Sequence, residues 1–134
     1  MDDQVVTCSL YFEPKLWSHR YGEGIFTLNL VGYEIIDKTY CTYVLEIKWG
    51  QQIKTISKRY SEFYNLNYTL RKEKAIDAET CSSFPGKTWF SNLEEKFLKQ
   101  RQVQLGKWLD DCLGKNKGST NHEQVRTFLE LPPI

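Results

Sequence analysis

One short run of residues, 58–63, carries the side chains best suited to binding an anion. It reads Lys-Arg-Tyr-Ser-Glu-Phe and lies between a strand pattern and a helix pattern. The first amides of a helix point outward, and the guanidinium of Arg59 can hold two phosphate oxygens in parallel. The sequence therefore predicts an anion site here. The plainer alternatives are that Arg59 is a solvated cation and that Tyr60 is a core aromatic residue.

Arg101 interrupts the apolar stripe of the longest predicted helix. Four residues separate Phe97 from Arg101 and four more lead to Leu105, so at about 3.6 residues per turn the guanidinium falls on the inward face. Two interpretations stay open. Arg101 either snorkels or pairs with an internal carboxylate such as Glu62, or it lines a cleft and keeps its hydrogen-bond donors for a ligand.

A loop pattern at residues 84–87, Phe-Pro-Gly-Lys, separates the two main helices. Its proline disfavours helix in the residue before it and its glycine frees the following step, which predicts an ordered loop or an extended, polyproline-like segment. Lys87 alone is uninformative. If Arg101 lines a cleft, however, Arg59, Lys87 and Arg101 converge on one anion from three separate elements. Beyond the loop, Trp89 and Phe90 are either tucked under the helices or exposed for a membrane.

The elements that position these residues follow a simple order, strands first and helices after. Alternating apolar and polar residues predict three antiparallel strands, and periodic apolar residues with capping signals predict helices after them. The expected strands are 25–36, 40–49 and 52–57, and the expected helices are about 61–75, about 91–113, and one that begins near 121. We predict an α+β fold, a three-stranded antiparallel meander packed against a helical subdomain. Residues 1–24 are expected to be an N-terminal extension, and residues 25–134 the domain.

The charge of the chain is uneven. The net charge is +1, but residues 54–74 hold six basic and two acidic residues, a sum of +4, and residues 87–107 hold five basic and two acidic residues, a sum of +3. Such segments attract anions locally without making the chain basic overall. Free nucleic acid usually requires a broadly basic face, so we predict no nucleic-acid partner.

Several other classes of protein fit poorly. No apolar run approaches the roughly 20 residues of a membrane-spanning helix, and the acidic N-terminus lacks a signal-peptide pattern, so we expect a cytoplasmic protein. Cys8, Cys41, Cys81 and Cys112 lie far apart and are expected to be small buried hydrophobic residues, so we predict no metal and no cofactor. No glycine-rich phosphate cradle or nucleophile motif is present, and we predict no enzymatic activity.

The motifs at 58–63 and 84–87, followed by Arg101 four residues before Leu105, together resemble the phox-homology (PX) domain, especially that of the sorting nexins. The resemblance covers about Ile25 to Leu131. It implies a peripheral membrane module that binds phosphatidylinositol 3-phosphate and recruits the protein to endosome-type membranes for sorting or trafficking. The alternative is a protein-interaction adaptor with an unused lipid pocket, binding unknown partners through residues 1–24.

The resemblance also implies a role for each site residue. Arg59 would bind the 3-phosphate with help from the Ser61 hydroxyl, and Tyr60 would form the wall against which the inositol ring packs. Lys87 would bind the 1-phosphate and Arg101 the 4- and 5-hydroxyls. The membrane-inserting residues would be Trp89, Phe90 and Leu93.

Overall fold

An antiparallel sheet forms one layer of the fold and helices form the other. The computed structural model describes residues 6–11, 25–49, 52–77, 81, 83–87, 93–114 and 122–130. Within these ranges the strands are β1 (Val6–Tyr11), β2 (Ile25–Ile36), β3 (Tyr40–Trp49) and β4 (Gln52–Arg59), and the helices are α1 (Tyr60–Lys72), α2 (Glu95–Gly114) and α3 (Glu123–Phe128). The strands are ordered β1-β2-β3-β4 across the sheet. The α+β class predicted from the sequence is confirmed.

The sheet contains the predicted meander and one further strand. β2, β3 and β4 pair in sequence order, with Leu28 opposite Ile47 and Leu45 opposite Ile56. The fourth strand, β1, lies inside the segment expected to be an extension and runs antiparallel to β2, with Val6 opposite Leu30. The sequence did not predict this pairing because a six-residue strand pattern is short and its partner lies elsewhere in the chain.

Alternate residues of the sheet face the helices and form the core. On β3, Tyr43, Leu45 and Ile47 are buried, as the predicted period of two requires. The helical layer covers them with apolar side chains, among which Trp108 is fully buried. The buried helical residues are Phe63, Leu66 and Leu70 from α1, Leu105, Trp108, Leu109 and Cys112 from α2, and Val125 and Phe128 from α3. None of the described helices is long and apolar enough to cross a bilayer.

Two of the cysteines are joined, contrary to the sequence interpretation. Cys81 and Cys112 are both buried as expected, but they form a disulfide with Cα atoms 5.0 Å apart. Thirty-one positions separate them along the chain, and only the packing of the 81–87 region against the end of α2 brings them together. The isolated positions of the cysteines in the sequence gave no sign of this pair.

The turn between β2 and β3 contains two residues in the left-handed backbone region, Asp37 with φ 50° and Lys38 with φ 57°. A side chain with a Cβ is disfavoured there, whereas glycine is not. We expect Lys38→Gly to raise the free energy of unfolding by about 0.5–1 kcal/mol, since the relief of strain exceeds the added flexibility of the unfolded chain. Thermal unfolding measures this change. Lys38→Ala is the control, because it removes the same charge but keeps the Cβ, and an equal gain from alanine would contradict the explanation.

Candidate anion-binding site

The junction between β4 and α1 fixes the position of Arg59. Arg59 is the last residue of β4 and the N-cap residue of α1, with extended backbone angles of φ −83° and ψ 159°. The Glu62 carboxylate accepts a hydrogen bond from the backbone N–H of Arg59 at 2.8 Å, as a glutamate at the third helical position commonly does. The guanidinium carbon of Arg59 lies 4.0 Å from the centre of the Tyr40 ring. Helix and strand together therefore hold this side chain at one end of the sheet.

Arg101 is 8% exposed and lies on the inward face of α2, as its spacing predicted. Its Nη2 donates a hydrogen bond to the carbonyl oxygen of Gly86 at 2.7 Å. The guanidinium carbon is 3.8 Å from the centre of the Tyr60 ring and 4.6 Å from that of Phe97. The suggested pairing with Glu62 does not occur, since Glu62 instead accepts from the Arg59 backbone. Arg101 thus commits one donor to the 84–87 loop and packs between two aromatic rings.

The 84–87 loop is held in place by contacts at successive residues. The Tyr60 hydroxyl donates to the carbonyl of Pro85 at 2.5 Å, and the Phe84 ring meets Trp108 edge to face at 5.1 Å. The Nζ atom of Lys87 lies 4.2 Å from the centre of the Tyr64 ring. The loop therefore presents Lys87 beside α1, on a scaffold that reaches the core.

Two adjoining cavities surround these side chains. The first has a volume of about 200 Å³ and the second about 270 Å³. Arg59 lines only the first and Lys87 only the second, while Tyr60, Ser61 and Arg101 line both. The first is lined by Tyr40, Cys41, Tyr43, Arg59, Tyr60, Ser61, Leu93, Phe97, Leu98 and Arg101, and the second by Tyr60, Ser61, Tyr64, Asn65, Lys87 and Arg101. The described lining thus contains three cations and no carboxylate.

The remaining polar side chains of the first cavity do not offset this charge. Burial raises the pKa of the Cys41 thiol and of the Tyr43 phenol, so both stay neutral at pH 7. Burial also raises the pKa of Tyr60. The cavities are therefore electropositive and can attract a phosphate or another small anion.

Other cations of the basic segment 54–74 are compensated elsewhere. Lys58 lies 3.2 Å from a carboxylate oxygen of Glu130, and Lys54 lies 4.0 Å from the other oxygen. This acidic residue follows α3 and is distant in sequence, so the local sum of +4 overstates the positive charge that the folded segment presents. The uncompensated charge is concentrated around the two cavities.

The structure thus brings together five residues singled out from the sequence, namely Arg59, Tyr60, Ser61, Lys87 and Arg101. Leu93, expected at the membrane, is half-buried and lines the first cavity. Trp89 and Phe90 lie outside the described residues.

Two aromatic contacts of the site were not anticipated. Tyr40 packs on Arg59 and Tyr64 packs on Lys87. Strand register could have suggested the first, because Thr42 lies directly opposite Arg59 and Tyr40 is two positions farther along the same face.

Comparison with known proteins agrees with this arrangement. A family model described as the PX domain matches residues 48–132, which include β4, all three described helices and the loop at 84–87. Among solved structures, one described as "X-ray structure of a designed CISK-PX domain" is similar, with a TM-score of 0.65 and 26% sequence identity. The match covers 75% of this chain and 95% of that chain.

Proposed function

Because this chain belongs to the PX domain family, a family of phosphoinositide-binding modules, we propose that it binds phosphatidylinositol 3-phosphate in membranes without catalysing a reaction. We further propose that this binding recruits the protein to endosome-type membranes in sorting or trafficking. The main support is the convergence of Arg59, Lys87 and Arg101 from three elements on two adjoining cavities whose described lining contains no carboxylate. A phosphorylated headgroup would supply the missing negative charge.

In this proposal Arg59 binds the 3-phosphate. Arginine offers a planar fork of donors that suits phosphate oxygens, and no ion pair between described residues engages the Arg59 side chain. The Ser61 hydroxyl is exposed, lines the same cavity and adds a donor. A dianionic phosphate would therefore meet a charged fork and a neutral hydroxyl side by side.

The rest of the headgroup would extend across the shared wall. Arg101 lines both cavities and is proposed to bind the 4- and 5-hydroxyls with the donors not used by Gly86. Lys87, in the second cavity, would bind the 1-phosphate as a point charge. Tyr60 also borders both cavities and is proposed as the wall for the inositol ring.

The proposed membrane contact lies between two residues that border the cavities. Lys87 lines the second cavity and Leu93 the first, and Trp89 and Phe90 fall between them in the chain. A segment tethered at both ends near a headgroup site would reach the membrane surface that presents the headgroup. We propose that Trp89 and Phe90 enter the interface, with Leu93 at their base.

Co-sedimentation with liposomes tests the proposal. Vesicles should carry each phosphoinositide in turn, with phosphatidylserine added so that all vesicles have matched surface charge. We expect the strongest binding to phosphatidylinositol 3-phosphate, and binding that persists at physiological salt. Equal binding to every anionic vesicle would contradict headgroup recognition, since surface charge alone would explain it. The absence of binding to all vesicles would favour the adaptor function.

A further inference from the structure

The contact between Tyr40 and Arg59 suggests how the arginine is held ready for a ligand. We propose that Tyr40 is a positioning residue, whose ring holds the Arg59 guanidinium at the first cavity before a phosphate arrives. This inference rests on the proposed function, because it assumes that Arg59 binds a phosphate. It assigns a role to a residue that the sequence motifs do not include.

The geometry of the sheet explains why the two side chains meet. β3 and β4 are antiparallel with Thr42 directly opposite Arg59, so Tyr40 is the diagonal neighbour of Arg59 on the same face. Diagonal neighbours are about 7–8 Å apart, within reach of an aromatic and an arginine side chain. The guanidinium carbon lies 4.0 Å from the ring centre, which is well inside the range of a cation–π contact.

A contact with a ring face differs from the partners of the other cations. Lys54 and Lys58 approach the Glu130 carboxylate, and Arg101 donates to the Gly86 carbonyl. Those contacts occupy charge or donors that a ligand would need. Tyr40 restrains Arg59 through the ring face and uses none of its N–H groups, so the fork of donors stays available for phosphate oxygens.

The position of Tyr40 is itself restrained. It is the first residue of β3, pairs with Ile36 across the hairpin, and follows the turn that contains Asp37 and Lys38. The ring also lines the first cavity. Holding Arg59 against a fixed ring reduces the rotational freedom that the side chain would otherwise lose on binding, and such preorganisation raises affinity without adding a contact to the ligand.

A double-mutant cycle tests this role. Affinity for vesicles of phosphatidylcholine containing phosphatidylinositol 3-phosphate is measured for the wild type, Tyr40→Leu, Tyr40→Phe, Arg59→Ala and the Tyr40→Leu/Arg59→Ala double variant. We expect Tyr40→Leu to weaken binding about fivefold and Tyr40→Phe to stay within about twofold of the wild type, because phenylalanine keeps the ring. In the Arg59→Ala background, Tyr40→Leu should have no further effect.

A second readout guards against a variant that simply folds poorly. The NMR signal of the Arg59 Nε–H group should shift in Tyr40→Leu and be largely retained in Tyr40→Phe, and thermal unfolding reports the fold of each variant. Tyr40→Val, which keeps a strong strand former at this position, serves if leucine disrupts the strand.

The possible outcomes separate this inference from the proposed function. If the wild type binds the 3-phosphate lipid selectively but Tyr40→Leu binds equally well, or loses the same factor in both backgrounds, the positioning role is wrong and the function stands. If the wild type shows no selectivity, the proposed function is wrong and this inference falls with it.

Discussion

Replacing Arg59 with alanine should weaken binding to vesicles containing phosphatidylinositol 3-phosphate by about 100-fold, which corresponds to about 2.7 kcal/mol. A bidentate contact between a guanidinium and a phosphate would be lost, and no neighbouring cation occupies the same place, since Lys87 lines only the second cavity. The melting temperature should change by less than about 2 °C. Arg59 is exposed, and the helix cap uses its backbone N–H rather than its side chain.

Lys54→Ala is the matched control for Arg59→Ala. It removes one positive charge from the same strand, but Lys54 lies beside Glu130 and lines neither cavity. We expect less than a twofold change in affinity at physiological salt. Comparable losses in the two variants would indicate that net charge, and not a headgroup site, governs membrane binding. Arg59→Lys should fall between the wild type and alanine, because lysine keeps the charge but lacks the fork.

The fold could be predicted to the extent that each element declares itself locally. The alternation of buried and exposed residues in β3 and the capping glutamate after β4 are local signals, and both elements lie where the sequence indicated. β1 and the Cys81–Cys112 disulfide depend on partners far along the chain. Their formation is decided by tertiary packing, which local periodicity does not encode.

The site divides in the same way. The inward spacing of Arg101 revealed a buried cation, but its partner could not be deduced, since the Gly86 carbonyl is reached only after the loop folds onto α2. The compensation of Lys54 and Lys58 by Glu130 was likewise hidden, because opposite charges far apart in sequence meet only in the folded chain. Sums of charge along a segment are therefore a poor guide to the field around a site.

The stack of Arg101 on Tyr60 bears on the role proposed for the tyrosine ring. The guanidinium carbon lies 3.8 Å from the ring centre, so the face it covers is not open to an inositol ring in this arrangement. A headgroup would have to approach another part of the Tyr60 ring or displace the guanidinium. Arg101 is consequently both a structural neighbour of the aromatic wall and a proposed ligand contact, and its replacement should affect both stability and binding.

Arg101→Ala should weaken binding to the 3-phosphate lipid at least tenfold and lower the free energy of unfolding by about 1–3 kcal/mol. The structural loss arises because the Gly86 carbonyl loses its donor and the Tyr60 and Phe97 rings lose a packing partner. Chemical denaturation measures the stability, and vesicle binding is measured at a temperature where each variant is fully folded. Arg71→Ala is a control on α1, since Arg71 donates to Asn67 and lines neither cavity.

Arg101→Lys separates the two roles of Arg101. Lysine restores the positive charge but cannot reproduce a planar guanidinium packed between two rings with a donor at the Gly86 carbonyl. If charge attraction dominates, lysine should recover most of the affinity lost in alanine while the stability stays low. If binding depends on the fork of donors and on the placement of the 84–87 loop, lysine should bind nearly as weakly as alanine, which is the result we expect. Wild-type affinity in both Arg101 variants would contradict the assignment of Arg101 to the headgroup site.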